Sequence, residues 1–439
     1  MKFILIATFT VLNFCTNAQT DPYKKLTAYF NVIDTNNKFM GSAALIQNGI
    51  ITYQNAVGMC NVANATKNNI FTKFRVGSIS KTFTAVLIMQ AIEEKKINLT
   101  DNIFKYYPTI KNAKKITISN LLNHHSGIHN FTNDSIYTTY NTRPKTELQM
   151  VAIIAKAGVD FEPNTKAAYS NSNYILLSYI LQKIYKKNYS EILNAKIIKP
   201  LKLVNTFVGK NINVKNNEAN SYNFNAGLWV KETETDMSIP MGAGNIVSTP
   251  TDLVLFAHAL FNNKLINSTS LNCMTKLIDK YGMGLGKVPF NNKIGYGHTG
   301  GIDGFSSVFA YFPDDKVGYA LTCNGSNGFD NNKISIAALS VPFNQPFNIP
   351  NFVLYPSDVV ELESYVGNYA SSQIPLKLKV TRNQKLLFAQ ATGQAAFELL
   401  QTSKGKFTFD AAGIILDFNA EAKTMQLKQG GMEYTFIKE

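Results

Sequence analysis

Strand-forming sequence stands at both ends of a long helical stretch, and this order restricts the fold more than any other feature of the chain. In "GSAALIQNGIITYQNAVGM" two β-prone runs flank Asn48-Gly49, the dipeptide that most strongly signals a two-residue hairpin. A short helix is expected just before it, over "DPYKKLTAYFNVI". Helical periodicity dominates from Ser78 to about Leu203, most clearly in "YILLSYILQKIYKK" and "SEILNAKIIKPL". Strand patterns return in "GFSSVFAYFPDDKVGYALTCN", two β-rich runs around a Pro-Asp-Asp turn. The expected architecture is a sheet closed by both ends of this region, with a helical insertion between them.

At 439 residues the chain is longer than one core usually grows. Prolines at 342, 346, 350 and 356 prevent regular helix there and point to an extended linker over 343–357. Beyond it, "PLKLKVTRNQKLLFAQ", "KFTFDAAGIILDF" and "TMQLKQGGMEYTFIKE" are short alternating segments with turn signals, expected to form a small antiparallel sheet or barrel over 358–439. That part has no histidine and no cysteine, which makes it an accessory module rather than a second reactive centre.

The opening "MKFILIATFTVLNFCTNAQT" has a basic start, an apolar run from Phe3 to Phe14 and small residues before Gln19, the pattern of a signal peptide over 1–18. The run is shorter than the roughly 20 residues a spanning helix needs, and no later stretch is long and apolar enough to cross a membrane. A lipid on Cys15 is disfavoured by the bulky Phe14 before it. The expectation is an exported protein, periplasmic or secreted, with the enzyme-sized region at 19–342. The formal charge is +14, but the basic residues are scattered and do not interleave with aromatics, so nucleic acid is not an expected partner. Cys60, Cys273 and Cys323 are too few for a disulfide framework, and neither finger-type spacing nor HExxH occurs; no metal or cofactor is expected.

Chemistry concentrates in "FRVGSISKTFTAVLIMQ", residues 74–90. Serine is a weak nucleophile until a base removes its proton, and residues three apart on a helix share a face, so Lys81 can stand over Ser78. An ammonium of ordinary pKa, about 10.4, cannot act as that base; burial by the apolar run that follows would lower it. A helix start also supplies free N–H groups for developing negative charge. SxxK alone is weak, since Ser403 to Lys406 repeats it between strand patterns, as a solvated turn. Two further groups give the first copy its company: Tyr169 and Asn171 ahead of a long amphipathic helix, and His298, Thr299 and Gly300 in "GYGHTGGIDGF". Tyr53 to Asn55 and His125 to Gly127 repeat these patterns out of order, the latter where Gly127 would cap a helix end.

Taken in order, Ser78-x-x-Lys81, Tyr169-x-Asn171 and His298-Thr299-Gly300 resemble the three motifs of serine β-lactamases and penicillin-binding proteins, in the branch of class C β-lactamases, DD-carboxypeptidases and related esterases. "ITISNLLNHHSGI", "FEPNTKAAYSNSNY" and "MGAGNIVSTPTDL" extend the resemblance over roughly residues 22–340, and "YVGNY" and "QGG" resemble a β-rich domain often appended to such hydrolases. The resemblance implies an α/β, β-lactamase-like fold: an antiparallel sheet flanked by helices plus an all-helical region, followed by a small C-terminal all-β domain. It implies that Ser78 attacks a carbonyl, that Lys81 and Tyr169 share the proton transfers, and that Asn171 holds Lys81 and a substrate amide. His298 and Thr299 would flank the substrate, and the backbone N–H groups of Ser78 and Gly301, after Gly300, would form the oxyanion hole.

Where this family often has lysine, His298 stands, and near neutrality an ordinary imidazole would carry charge part of the time, making activity pH-sensitive there. Asn164 occupies a frequent glycine position but tolerates left-handed backbone. "GYGHTG" matches GxGxxG without the strand and helix a dinucleotide site needs, and no GxSxG elbow occurs. His124, His125 and His129 are expected as solvated imidazoles near a helix end, and His258 as a core or boundary residue. The implied activity is a serine hydrolase acting on a D-amino-acid peptide or another small amide or ester, with β-lactams second. The alternative is a ligand-binding or sensor protein on the same scaffold.

Overall fold

The computed structural model describes residues 22–225, 227–352, 355–356, 358–409 and 412–439; the leader read over 1–18 lies outside them. Six antiparallel strands form the main sheet: β1 (Phe39–Gln47), β2 (Ile50–Val57), β3 (Gly286–Phe290), β4 (Lys293–Ile302), β5 (Phe305–Phe312) and β6 (Val317–Ser326). Their spatial order is β3-β4-β5-β6-β1-β2, so β1 lies beside β6 and the two distant strand regions share one sheet. Two short strands, Tyr222–Asn225 and Leu228–Lys231, extend it from the end of β6.

Turn chemistry fixes the first hairpin. Asn48 and Gly49 have φ of 52° and 83°, the left-handed pair that a tight two-residue loop demands, and Gln47 pairs directly with Ile50. β1 is buried on both faces because layers cover both sides of the sheet. Ala44 and Ile46 join the larger core with Phe309, Tyr311 and Ala320, whereas Ala43 and Leu45 join a second core with Ala310, Tyr319 and Leu321. Helix α1 (Pro22–Thr35) covers the second face with Leu26, Tyr29, Phe30 and Ile33, a helical stripe at intervals of three and four.

On the other face lie α2 (Ser80–Glu93), α3 (Asn171–Tyr185) and α4 (Pro250–Phe261). α2 is buried nearly all round from Ser80 to Met89: the apolar run Ala85–Met89 packs in the core, while the buried hydroxyls of Ser80, Thr82 and Thr84 are hydrogen-bonded. Phe83 on α2 stacks on Phe256 of α4 with centroids 3.8 Å apart, locking the helix that follows Ser78 to its neighbour in the layer beneath the sheet. Truncating such a ring to alanine costs about 3–5 kcal/mol. Thr249 caps α4 by accepting from the Asp252 N–H, with Pro250 in the first turn.

After α5 (Asn331–Ser340) the described residues of the proline-rich stretch up to 356 form no helix or strand, yet they are no free spacer. Phe343 packs on Phe290 and Phe312, Phe347 on Tyr29, and Phe352 on Phe329, so the segment is laid against the second core. The C-terminal part is a closed eight-stranded antiparallel barrel running from Gly367–Ala370 to Met432–Lys438, its first strand paired with its last. Alternate residues such as Leu378 and Val380, or Met425 and Leu427, fill its core, joined by Leu362 and Tyr365 from helix α6 (Val359–Tyr365). The decoy pair Ser403 and Lys406 face each other across a hairpin of this barrel.

Candidate active site

Ser78 sits in a short 3-10 turn, Gly77–Ile79, that leads into α2, rather than on the α-helix itself. The turn is possible because Gly77 adopts φ of 49° and because a side chain there would collide with the end of β4: an added Cβ would lie 2.7 Å from the Gly301 nitrogen. Gly300 is equally constrained, since its Cβ would fall 2.0 Å from the Val76 carbonyl oxygen. The Ser307 hydroxyl donates to that same carbonyl at 2.9 Å. Strand β4 is thereby pressed against the serine turn, which brings the Gly301 backbone beside Ser78.

Lys81, the second residue of α2 and three positions after Ser78, is fully buried. Its Nζ lies 2.9 Å from Ser78 Oγ, 2.8 Å from Asn171 Oδ1 and 2.7 Å from the Ala243 carbonyl oxygen. No carboxylate is among these partners, and burial holds the amine well below the usual ammonium value. Asn171 is fixed from two sides: its Nδ2 donates to Thr132 Oγ1 at 3.1 Å, and its backbone N–H donates to Asn130 Oδ1 at 3.0 Å. The Tyr169 hydroxyl hydrogen-bonds the Ser78 side chain, and burial pushes this phenol above its ordinary value. The Tyr169 ring lies beneath the Lys81 amine, 4.9 Å from it. All four side chains expected to act together meet at one point.

His298, on β4, stands beside this cluster with its ring 6.4 Å from that of Tyr169. Its Nδ1 is 2.5 Å from the Thr299 carbonyl oxygen, an acceptor only, so Nδ1 carries the proton and Nε2 is left as an acceptor. Chiefly through burial, the imidazole is pushed down to about 4. The partial charge near neutrality expected from the sequence is therefore corrected: His298 stays neutral through that range. Thr299 is exposed next to it, and Gly300 and Gly301 follow on the same strand. The cavity beside Ser78, about 380 Å³, is walled by Asn171, Gly301, Phe131, Tyr137 and Ile302.

Several contributors escaped the sequence reading. The helix carrying "ISNLL" ends at Asn123, and the left-handed residue that stops it is His124, φ 65°, not Gly127. A Cβ at Gly127 would instead strike the Phe161 carbonyl oxygen at 2.0 Å, so this glycine marks a close approach. His124 is not solvated. It is buried, stacked on Tyr169 with centroids 4.5 Å apart, and its Nδ1 accepts from the Ser170 N–H at 3.2 Å. Burial holds it well below the ordinary histidine value, with Lys81, His298 and His125 adding to the effect. His125 is also buried, between the Asn123 carbonyl and Asp279, while His129 bridges Asp160 and Asp134 beside the loop that carries Asn130 and Thr132. His258 is a boundary residue whose Nδ1 meets the Tyr311 hydroxyl at 2.9 Å.

Arg75 was likewise unread. Its guanidinium is buried, 2.7 Å from Asp303 and 3.1 Å from Glu234, and it ties the strand before Ser78 to the turn after Gly301. Cys60, Cys273 and Cys323 are separate thiols. Among the described residues, no helix is long and apolar enough to cross a membrane, and no group of three or more His, Cys, Asp or Glu could hold a metal. The "GYGHTG" match lies within strand β4 and opens no helix.

The Beta-lactamase family model matches residues 34–341. A teichoic acid D-alanine hydrolase of Staphylococcus aureus is 30% identical over 321 residues, covering 71% of this chain and 76% of that protein. A D-stereospecific amidohydrolase from Streptomyces sp. superposes with a TM-score of 0.62 at 27% identity, over 71% of this chain and 97% of the other. The octameric penicillin-binding protein homologue from Pyrococcus abyssi shares the fold over 94% of this chain and 99% of its own, with a TM-score of 0.68 at 22% identity. A serine turn, a buried lysine, a Tyr-x-Asn helix start and a glycine-rich strand end occur here within the region that the family model matches; the chain belongs to the Beta-lactamase family and is a serine hydrolase.

Proposed function

We propose that this chain releases D-amino acids from small amides or esters through an acyl-enzyme on Ser78. The observation that carries the reading is the Lys81 amine, 2.9 Å from Ser78 Oγ and buried with only neutral oxygens as partners. A neutral amine has two N–H groups and one lone pair. The N–H groups go to Asn171 Oδ1 and the Ala243 carbonyl, which leaves the lone pair for the Ser78 proton. Attack by Oγ on the substrate carbonyl transfers that proton to Lys81, and the N–H groups of Ser78 and Gly301 receive the oxyanion. Tyr169, kept protonated by its burial and bonded to Ser78, relays a proton to the leaving nitrogen or oxygen as the tetrahedral adduct collapses. Water then attacks the ester on Ser78, the same groups carrying its proton back to Oγ.

The D-amino-acid preference draws on the relatives, one named as a D-alanine hydrolase and one as D-stereospecific. Export through residues 1–18 belongs to the same proposal. Intact-mass measurement during turnover of D- and L-alanyl esters, with benzylpenicillin as a third arm, tests it. A transient D-alanyl adduct, absent in Ser78→Ala, is expected. Equal turnover by Ser78→Ala would overturn the nucleophile assignment, and equal rates on both enantiomers would overturn the substrate class.

A further inference from the structure

The cavity beside Ser78 has two carboxylates on its wall, Glu232 and Asp303, and no lysine or arginine. Asp303 is already fully engaged. It is buried, 2.7 Å from the Arg75 guanidinium, and accepts from the Thr235 N–H at 3.0 Å and the Thr235 hydroxyl at 2.7 Å. Glu232 is not. Its carboxylate accepts from the Asn223 side-chain amide, a neutral donor, and among the described residues no cationic side chain forms an ion pair with it. It is nevertheless well placed: its backbone N–H donates to the Ser221 carbonyl at 2.9 Å, directly after the paired strand Leu228–Lys231. Its stem lies against Gly304, where an added Cβ would meet Glu232 Cγ at 2.9 Å.

The basic groups around Ser78 do not cancel this charge. Lys81 is held toward its neutral form by burial, and His298 presents an uncharged Nε2. The cleft thus offers a fixed anion and no fixed cation. A ligand carboxylate next to the scissile bond finds nothing to pair with, whereas an ammonium finds Glu232.

We propose that Glu232 binds the free α-ammonium of an aminoacyl substrate whose carbonyl is attacked by Ser78. This rests on the acyl-enzyme reading above and adds the substrate's charge to it: an unblocked aminoacyl ester or amide, not an N-acylated one and not a peptide read by its C-terminal carboxylate. A charge-assisted hydrogen bond of this kind contributes a factor of roughly 10 to 160.

The test uses the purified chain with D-alanine p-nitroanilide and its N-acetyl derivative. The ratio of kcat/KM, free amine over N-acetyl, is expected to exceed about 10 in the wild type and to fall by about 10-fold or more in the isosteric Glu232→Gln, mostly through KM. Glu232→Asp should recover part of the ratio. A ratio unchanged by Glu232→Gln, or a wild type that prefers the blocked substrate, overturns this inference and leaves the acyl-enzyme reading standing. Absence of Ser78-dependent turnover on both substrates overturns both.

Discussion

Adding one methyl group at Gly77 should damage chemistry far more than stability. The residue has φ of 49°, and an alanine Cβ would meet three backbone atoms of Gly301, its N, O and C, at 2.7, 2.8 and 2.9 Å. Left-handed backbone costs an alanine about 1–2 kcal/mol relative to glycine. The contacts are with backbone, which cannot rotate away, so Gly301 must move by several tenths of an ångström to restore ordinary separation. The atom displaced is the proposed second oxyanion donor, and loss of one such donor costs about 10²–10³ in kcat. Gly328→Ala is the matched control: φ there is 62°, and nothing lies within 4 Å of its added Cβ. Gly328→Ala should melt about 2–4 °C below wild type, and Gly77→Ala a few degrees lower still because it also displaces backbone. Gly77→Ala should lose at least about 100-fold in kcat on a chromogenic D-alanyl ester, and Gly328→Ala almost none. Wild-type kcat in Gly77→Ala would refute the claim that the serine turn and the end of β4 are mutually fitted.

His298, titrating at about 4, should leave no inflection near pH 6.5 in kcat/KM; an inflection there that disappears in His298→Gln would contradict the neutral assignment. Arg75→Met strands the buried Asp303 and should destabilise the fold by about 3–5 kcal/mol, part of it returned by Asp303→Asn in the double variant, read by urea unfolding. His129 is raised, first by its bond to Asp160, so its stabilising charge is fully present below pH 6.5 and lost as pH rises through its folded value. His129→Gln should therefore lower Tm most at pH 5–6 and least above pH 8; an equal loss at both ends would refute the charge argument.

What the sequence showed clearly were features set by short spacing. Ser78 and Lys81 meet because a helical turn brings them together, and the Asn48-Gly49 loop closes because its backbone preference is local. The meeting of Ser78, Tyr169, Asn171 and His298 was readable only through motif order, since no periodicity links positions so far apart. His124 was misread because adjacent imidazoles in "NHHSG" look alike until one residue turns left-handed and sends its ring toward Tyr169. Arg75 and Asp303 pair across most of the domain, and nothing near either residue announces the other. In the proline-rich stretch the prolines masked a second signal, the phenylalanines at 343, 347 and 352 that fasten it to the sheet.

Lys81 owes its altered basicity to burial among neighbours contributed from far along the chain. Asn171 and Ala243 hold the amine, while β4, which lies against the serine turn, belongs to the sheet in which β1 pairs with β6. During synthesis from the N-terminus, the lysine is an ordinary hydrated ammonium and the serine an ordinary alcohol until residues beyond 300 have been added. Reactivity is consequently a property of the closed sheet, and no N-terminal fragment carrying Ser78 and Lys81 alone has a hydrolase to unleash.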